Sequence, residues 1–408
     1  MQTDSGFQCS ECQELFANIE QTKKHLCITH PEIIQSALNL IDTKKEAPVE
    51  TYFKRRCAKG KSDPISLSCD CNQNGTVLLY YNYTTTDSIK LAKELESLGT
   101  KLGLTGKIRV GSEGYNITVA GSTESCDEWV KHFLDPEIMP GIDKIGDKLD
   151  EFILKFFKPS KGCVHVFDGL SVKIVSEICP LGIPAERLPK IPCTSEKVID
   201  YILNPKIIEL GNIISLPPAE YHQELLDAGD DCVILDTRNY YESKIGLFKN
   251  AVAPAIRKFS SLPQYIKKTK DDYKDKKILT YCTGGIRCEK ASRFIQAETG
   301  SKVVMLEGGI HNYLEWASKT NTESLFQGVN YVFDARQSLG DSQNLISNCQ
   351  ICGEKSGNYK KCVGDNCHLL ITCCPTCGTD GLYCCQDCKE HQTICSCEEK
   401  RRRELAIQ

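Results

Sequence analysis

The sequence predicts a multidomain chain of mixed α+β and α/β class: a ferredoxin-like (acylphosphatase-like) domain, then a domain built on a parallel sheet, flanked by small zinc modules. Three observations predict it. Between residues 76 and 177 the apolar patterning runs strand, helix, strand, strand, helix, strand. From 214 to 319 helices alternate with short apolar strands. Cysteine and histidine pairs crowd both ends. A chain of 408 residues also exceeds what one core can hold, since single cores stop growing near about 250–300 residues.

At the amino end, Cys9, Cys12, His25 and His30 give the spacing C-x2-C-x12-H-x4-H. This suits one tetrahedral zinc, with two thiolates from a hairpin turn and two imidazoles from one helix face. Thr22 stands where such fingers usually carry an apolar residue. One finger contacts only about three base pairs, so residues 1–35 read as a docking module for a protein partner. Residues 36–74 are polar and irregular and read as a linker. Within them TYFKRRCAKGK, residues 51–61, is a basic patch: a solvated linker, an RNA-touching arm or a nuclear import signal.

The segments TVLLYYNY, SIKLAKELESLGTKLG, GKIRVGSE, YNITVAGS and SCDEWVKHFLD make a βαββαβ pattern, which folds as an antiparallel sheet with helices on one face. FILKFFKPS and LSVKIVSEI read as two further alternating segments, so the domain spans 75–178. Residues 179–212 read as a second linker. Over 213–325, CVILDTR, KKILTYC and KVVMLEGG alternate with helical stretches, which gives a parallel sheet covered on both faces. Chemistry in such sheets collects beyond the carboxyl ends of the strands.

Cys282 sits at such an end, in YCTGGIRCEKAS. Gly284 and Gly285 let the backbone curl so that successive N–H groups point inward, and the following helix adds its positive end. Thr283 and Ile286 complete the curl, and Arg287 adds a formal charge. This arrangement lowers a thiol pKa from about 8.5 and makes Cys282 a nucleophile carrying sulfur or oxygen. Cys288 is either a resolving thiol or a helix-start residue facing the sheet.

Between 340 and 398 the chain has few apolar runs but many cysteines; of 25 in the whole sequence, twelve lie between Cys349 and Cys397. Metal must hold this region together. Cys349 with Cys352, Cys362 with Cys367, Cys374 with Cys377 and Cys385 with Cys388 suit two zinc sites, interleaved first with third and second with fourth. Cys373, Cys384 and His368 are substitutes. Four thiolates leave no open coordination position, so the sites are structural. The net charge of −4 gives no global cationic field, no apolar run approaches the roughly 20 residues of a membrane span, and the start lacks a secretory signal. A cytoplasmic protein is expected, with the nucleus as the alternative.

CVILDTRNYYESKIGLFKNAVAP, with Asp236, Arg238 and Glu242, together with CTGGIR and LEGGIHNYLEW, resembles the rhodanese superfamily. The four residues between Cys282 and Arg287 look like the sulfur-transferring loop, where phosphatase relatives have five. CTGGIRCEKAS preceded by SEGYNITVAG and followed by a Cys-rich tail resembles, over roughly 75–390, the bacterial tRNA uridine hydroxylases and their eukaryotic rhodanese-like relatives. That resemblance implies tRNA as partner and oxidation of a wobble uridine to 5-hydroxyuridine, using oxygen and a loop cysteine corresponding to Cys282. Ile117 replaces the glycine usual after the asparagine of that family's EGxNG. Glu113, Tyr115 and Asn116 read equally as contacts to RNA or the rhodanese cleft, and as a tight turn. Two alternatives stand beside the hydroxylase: a sulfurtransferase forming a Cys282 persulfide, and a non-catalytic adaptor held by its zinc modules.

Overall fold

In the computed structural model, residues 75–183, 188–203, 208–210, 212–340, 344–364, 367, 369–378 and 381–390 are described, with a scatter of residues between 2 and 29. Residues 1–58 and 59–408 form two separate units. In the first, Gln2–Thr3, Gly6–Gln8 and Leu15–Phe16 pair as a small antiparallel sheet. The linker 36–74 lies outside the described residues.

The larger unit begins with β1 (Thr76–Tyr83), α1 (Ser88–Lys101), β2 (Thr105–Gly111), β3 (Gly114–Gly121) and α2 (Thr123–Phe133). Both helices start on oxygen caps that satisfy otherwise unpaired N–H groups: Asp87 accepts from Ile89 and Lys90, and Ser122 from Ser125. The β1–β3 and β2–β3 pairs are antiparallel as expected.

Two features differ from the sequence reading. FILKFFK is not a strand but helix α3 (Leu149–Phe157). Phe152, Phe156 and Phe157 fall at helical spacing and meet Tyr80, Trp129 and Phe133 in one buried aromatic core; over so short a run a helical stripe and alternation look alike. Only Ser160–Lys161 (β4) is strand, antiparallel to β1. Next, β5 (Leu170–Ile174) joins the opposite edge parallel to β2, so the sheet is mixed, in order β4-β1-β3-β2-β5.

The stretch read as a second linker carries α4 (Thr194–Leu203), whose Val198, Ile199 and Ile202 enter the aromatic core. It then supplies β6 (Ile208–Leu210), the antiparallel edge of the next sheet. That sheet continues with β7 (Ile213–Leu216), α5 (Pro218–Leu226), β8 (Cys232–Asp236), α6 (Tyr240–Ser243), β9 (Gly246–Phe248), α7 (Leu262–Tyr273), β10 (Lys277–Tyr281), α8 (Ile286–Thr299), β11 (Val303–Leu306) and α9 (Gly309–Thr320). The order is β8-β10-β11-β7-β6, with all pairs but the last parallel. Helices lie on both faces, as the near-continuous burial of β10 and β11 requires.

β12 (Phe326–Gly328) returns to pair with β9. The Cys-rich tail then docks through Tyr359, which stacks on Tyr331 at 4.7 Å and donates to the Val332 carbonyl. Among its described residues the paired strands are a short hairpin, Tyr359–Lys361 with Leu370–Thr372. Among the described residues no helix is long and apolar enough to cross a membrane.

β1 is what places the two large domains together. Leu78 and Tyr80 face the helices, while Tyr81 and Tyr83 point the other way, yet all four are buried. An antiparallel sheet with one wet face would expose the second set. Here that face is covered by the loop after β10.

Candidate active site and metal centres

Cys282 follows the last residue of β10 and is fully buried. Gly285 takes a left-handed φ of 98° and turns the chain into α8. Its N–H donates to the Cys282 Sγ at 3.1 Å. A second glycine closes the floor: a Cβ on Gly309 (φ 68°) would lie 2.5 Å from the Cys282 carbonyl oxygen, so only glycine lets α9 approach and Ile310 donate to that carbonyl at 2.9 Å.

Burial alone would push the Cys282 thiol up. It is outweighed by hydrogen bonds from the Cys288 side chain, the Arg287 charge and the backbone N–H groups of Cys288 and Arg287, and the pKa falls to about 5. For Cys288 the signs reverse: burial and the adjacent Cys282 thiolate push its thiol up. Cys288 faces the sheet beside Ile213 and Met305, 3.6 Å from the Thr237 hydroxyl, and also contacts Cys282. The pair is a thiolate beside a thiol.

Arg287 does not float over the loop. Its guanidinium makes a two-pronged pair with Glu242, at 2.6 and 2.8 Å, and donates to the Thr283 hydroxyl at 3.1 Å. Glu242 is oriented in turn by the Asn239 N–H, the cap of α6. Asp236 and Arg238 form a separate, fully buried pair behind it: Arg238 Nε and Nη2 donate to the carboxylate at 2.9 and 2.7 Å, and Ser243 adds a 2.8 Å bond. These two residues brace the loop's support and do not reach Cys282. Thr283 and Gly284 lie on the same curl, with Leu79 against Gly284 and the Tyr83 hydroxyl donating to the Ile286 carbonyl.

Glu113 and Asn116 lie in the turn region of β2 and β3. Glu113 accepts from the Ile178 N–H at 2.7 Å and from Lys290 of α8 at 2.9 Å; Asn116 donates to the Ile178 carbonyl. Tyr115 is buried and accepts from Asn82. Lys290, only 3% exposed, also pairs with Glu177 at 2.7 Å. Sequence reasoning missed Lys290 and Glu177, because an ion pair between residues 113 positions apart leaves no local signal.

In the tail, the Sγ atoms of Cys349, Cys352, Cys374 and Cys377 gather within 4.8 Å of one another, as do those of Cys362, Cys367, Cys384 and Cys388. Both groups can hold a metal ion, and the interleaving is first pair with third and second with fourth. One residue differs from the sequence reading: Cys384, not Cys385, completes the second group. The Cys385 Sγ lies 3.8 Å from that of Cys384 but outside the set, whose four sulfurs are those of Cys362, Cys367, Cys384 and Cys388. Cys384 Sγ lies 3.6 Å from Cys388 Sγ and 3.7 Å from Cys367 Sγ. His368 lies outside the described residues. In the amino-terminal unit Cys12, Glu14 and His25 come together, with Cys12 Sγ 3.2 Å from His25 Nε2; Cys9 and His30 lie outside the described residues.

Comparison with known proteins matches residues 75–178 to the UPF0176 acylphosphatase-like domain, 218–315 to the rhodanese-like domain and 327–401 to the rhodanese C-terminal region. A tRNA uridine(34) hydroxylase of Corynebacterium jeikeium is 33% identical over 311 residues, covering 74% of this chain and 90% of that protein. The chain belongs to the tRNA uridine(34) hydroxylase family. The Synechocystis hydroxylase is 33% identical over 74% of this chain and 95% of its own length. Rhodanese-like domain-containing protein 6 of Arabidopsis thaliana is 32% identical, with 53% of its length covered.

Proposed function

We propose that this chain hydroxylates the wobble uridine of tRNA, with Cys282 as the reacting thiolate and Arg287 holding its charge. The observation that carries the reading is the Cys282 sulfur, kept ionised by inward N–H groups and Arg287 at the carboxyl end of β10 in a member of the hydroxylase family. Glu242 and Thr283 orient Arg287; Asp236 and Arg238 support Glu242's element. Glu113 ties the first domain to Lys290 of α8, and Asn116 holds the Ile178 carbonyl within the first domain. In a low-dielectric site a prepositioned cation and aligned amides stabilise developing anionic charge without reorganising.

We further infer that the tail clusters hold zinc. Four soft thiolates within 4.8 Å of one another suit a tetrahedral zinc and would leave no vacant position for a reacting ligand, so the metal would supply folding energy to a region with little apolar core.

Nucleoside mass spectrometry of tRNA tests the reaction. Cells whose only copy carries Cys282→Ala should lose 5-hydroxyuridine and the modifications built on it, and wild-type protein should restore them. An unchanged nucleoside profile overturns the reading. A sulfur adduct on Cys282 with that unchanged profile would favour the sulfurtransferase.

A further inference from the structure

Between the two large domains, a cleft opens against the back of the reactive loop. Gly285, Cys288 and Glu307 form one wall, and Lys155, Lys158 and Lys197 the other. Lys197 is already neutralised by its ion pair with Glu289. Lys158 is different. It is 4% exposed, yet its ammonium, which has three N–H donors, is hydrogen-bonded to the Phe156 carbonyl alone, at 3.2 Å, among the described residues. Its other neighbour is the Tyr81 ring, 5.3 Å from Nζ. Burying an ammonium with no ion-paired anion is strongly unfavourable, and the charges of Glu307, the Cys282 thiolate and Glu289 act on Lys158 without closing to an ion pair. Glu307 faces it across the cleft without forming an ion pair.

The backbone at Lys158 points the same way. It ends α3 in the left-handed region (φ 47°, ψ 59°), a place usually given to glycine or asparagine. A long side chain held in a strained backbone and aimed into a cleft needs a compensating interaction. Lys155, one helical turn earlier, lies on the same wall with its ammonium 4.4 Å from the Tyr201 ring.

We propose that this cleft binds a phosphodiester group of the RNA substrate, with Lys158 and Lys155 as its cationic ligands, beside the loop that carries Cys282. The proposal rests on the tRNA reading and adds where the backbone is gripped. A nucleotide's base and flanking phosphate sit several ångströms apart, so a phosphate held here leaves the base free to approach the Cys282 loop.

Binding of the full-length protein to a short stem-loop RNA with an unpaired uridine tests it, measured over a series of salt concentrations. Removing one phosphate-bound cation should flatten the dependence of log affinity on log salt by about one. Lys158→Asn suits the left-handed backbone and removes the charge; Lys155→Gln provides a second variant at a half-buried helical position. Each should weaken binding severalfold and reduce the slope, whereas Lys319→Gln, at a lysine paired with Glu315 on α9, should not. Wild-type RNA binding with unchanged slopes in both cleft variants overturns the cleft and leaves the hydroxylase reading standing. An equal loss in Lys319→Gln also overturns it. Failure of the wild-type protein to bind the RNA at all sinks both.

Discussion

The sulfur of Cys282 is buried, and burial by itself raises a thiol pKa; what reverses the sign is that hydrogen bonds and one guanidinium converge on it. The sign of the linkage follows. A group whose pKa is depressed to about 5 in the folded state contributes stability above its ordinary range, and loses it as pH falls through about 5. Ultraviolet thiolate absorbance of wild type minus Cys282→Ser should therefore titrate near pH 5, and Arg287→Gln should move the midpoint upward. A midpoint in the ordinary thiol range would remove the activated nucleophile. Much of this is legible in CTGGIRC, because two glycines and an arginine after a buried strand already imply an anion cradle. Glu242's grip on Arg287 is legible only as part of a family pattern: the residues are 45 positions apart, and nothing local announces their meeting. Lys158 is invisible in the sequence, since a lysine after a helix is ordinarily a solvated cap.

At the scale of elements, the turn that launches α9 is as important as the loop that holds the thiol. Gly309 has positive φ and no room for a side chain against the Cys282 carbonyl and the Gly284 and Gly285 nitrogens. Gly309→Ala should cost about 1–3 kcal/mol for the strained backbone alone, seen as a lower thermal midpoint, and should raise the thiol pKa by displacing the cradle. A stable variant with an unchanged thiolate titration would show that α9 does not fix the loop. Elements with one dominant period are readable: α1, α2, β2 and β3 fall where patterning puts them. α3 escapes that reading because FILKFF is apolar nearly all round and its period is ambiguous over so few residues. The burial of β1 on both faces, the feature that joins the domains, is present in TVLLYYNY as an unbroken apolar run, but such a run does not say what covers it.

At the scale of the molecule, two kinds of cross-link substitute for a single large core. In the tail it is two four-cysteine clusters that can each hold a metal ion: Cys384→Ser should lose one equivalent by elemental analysis while Cys385→Ser keeps the wild-type content. Equal loss in the two variants would refute the assignment of Cys384. Between the sheets it is Lys290, held by Glu113 and Glu177 from the first domain and rooted in α8, the helix that begins at the reactive loop. Cys282 is inaccessible partly because the first domain's Leu79, Tyr81 and Tyr83 lie over its loop. Lys290→Ala leaves two partly buried carboxylates facing each other without their cation. Breaking a buried pair in this way costs about 3–5 kcal/mol when fully desolvated; side chains about a fifth exposed, as Glu113 and Glu177 are, should lose less. The domains should then separate more often, and each opening uncovers the thiolate. Alkylation of Cys282 by a small neutral reagent should accordingly speed up severalfold in Lys290→Ala, with the thiol pKa little changed, and Lys290→Arg should restore part of the protection. Were the alkylation rate of Lys290→Ala the same as wild type, the ion pairs would be decoration on an interface held by its tyrosines alone.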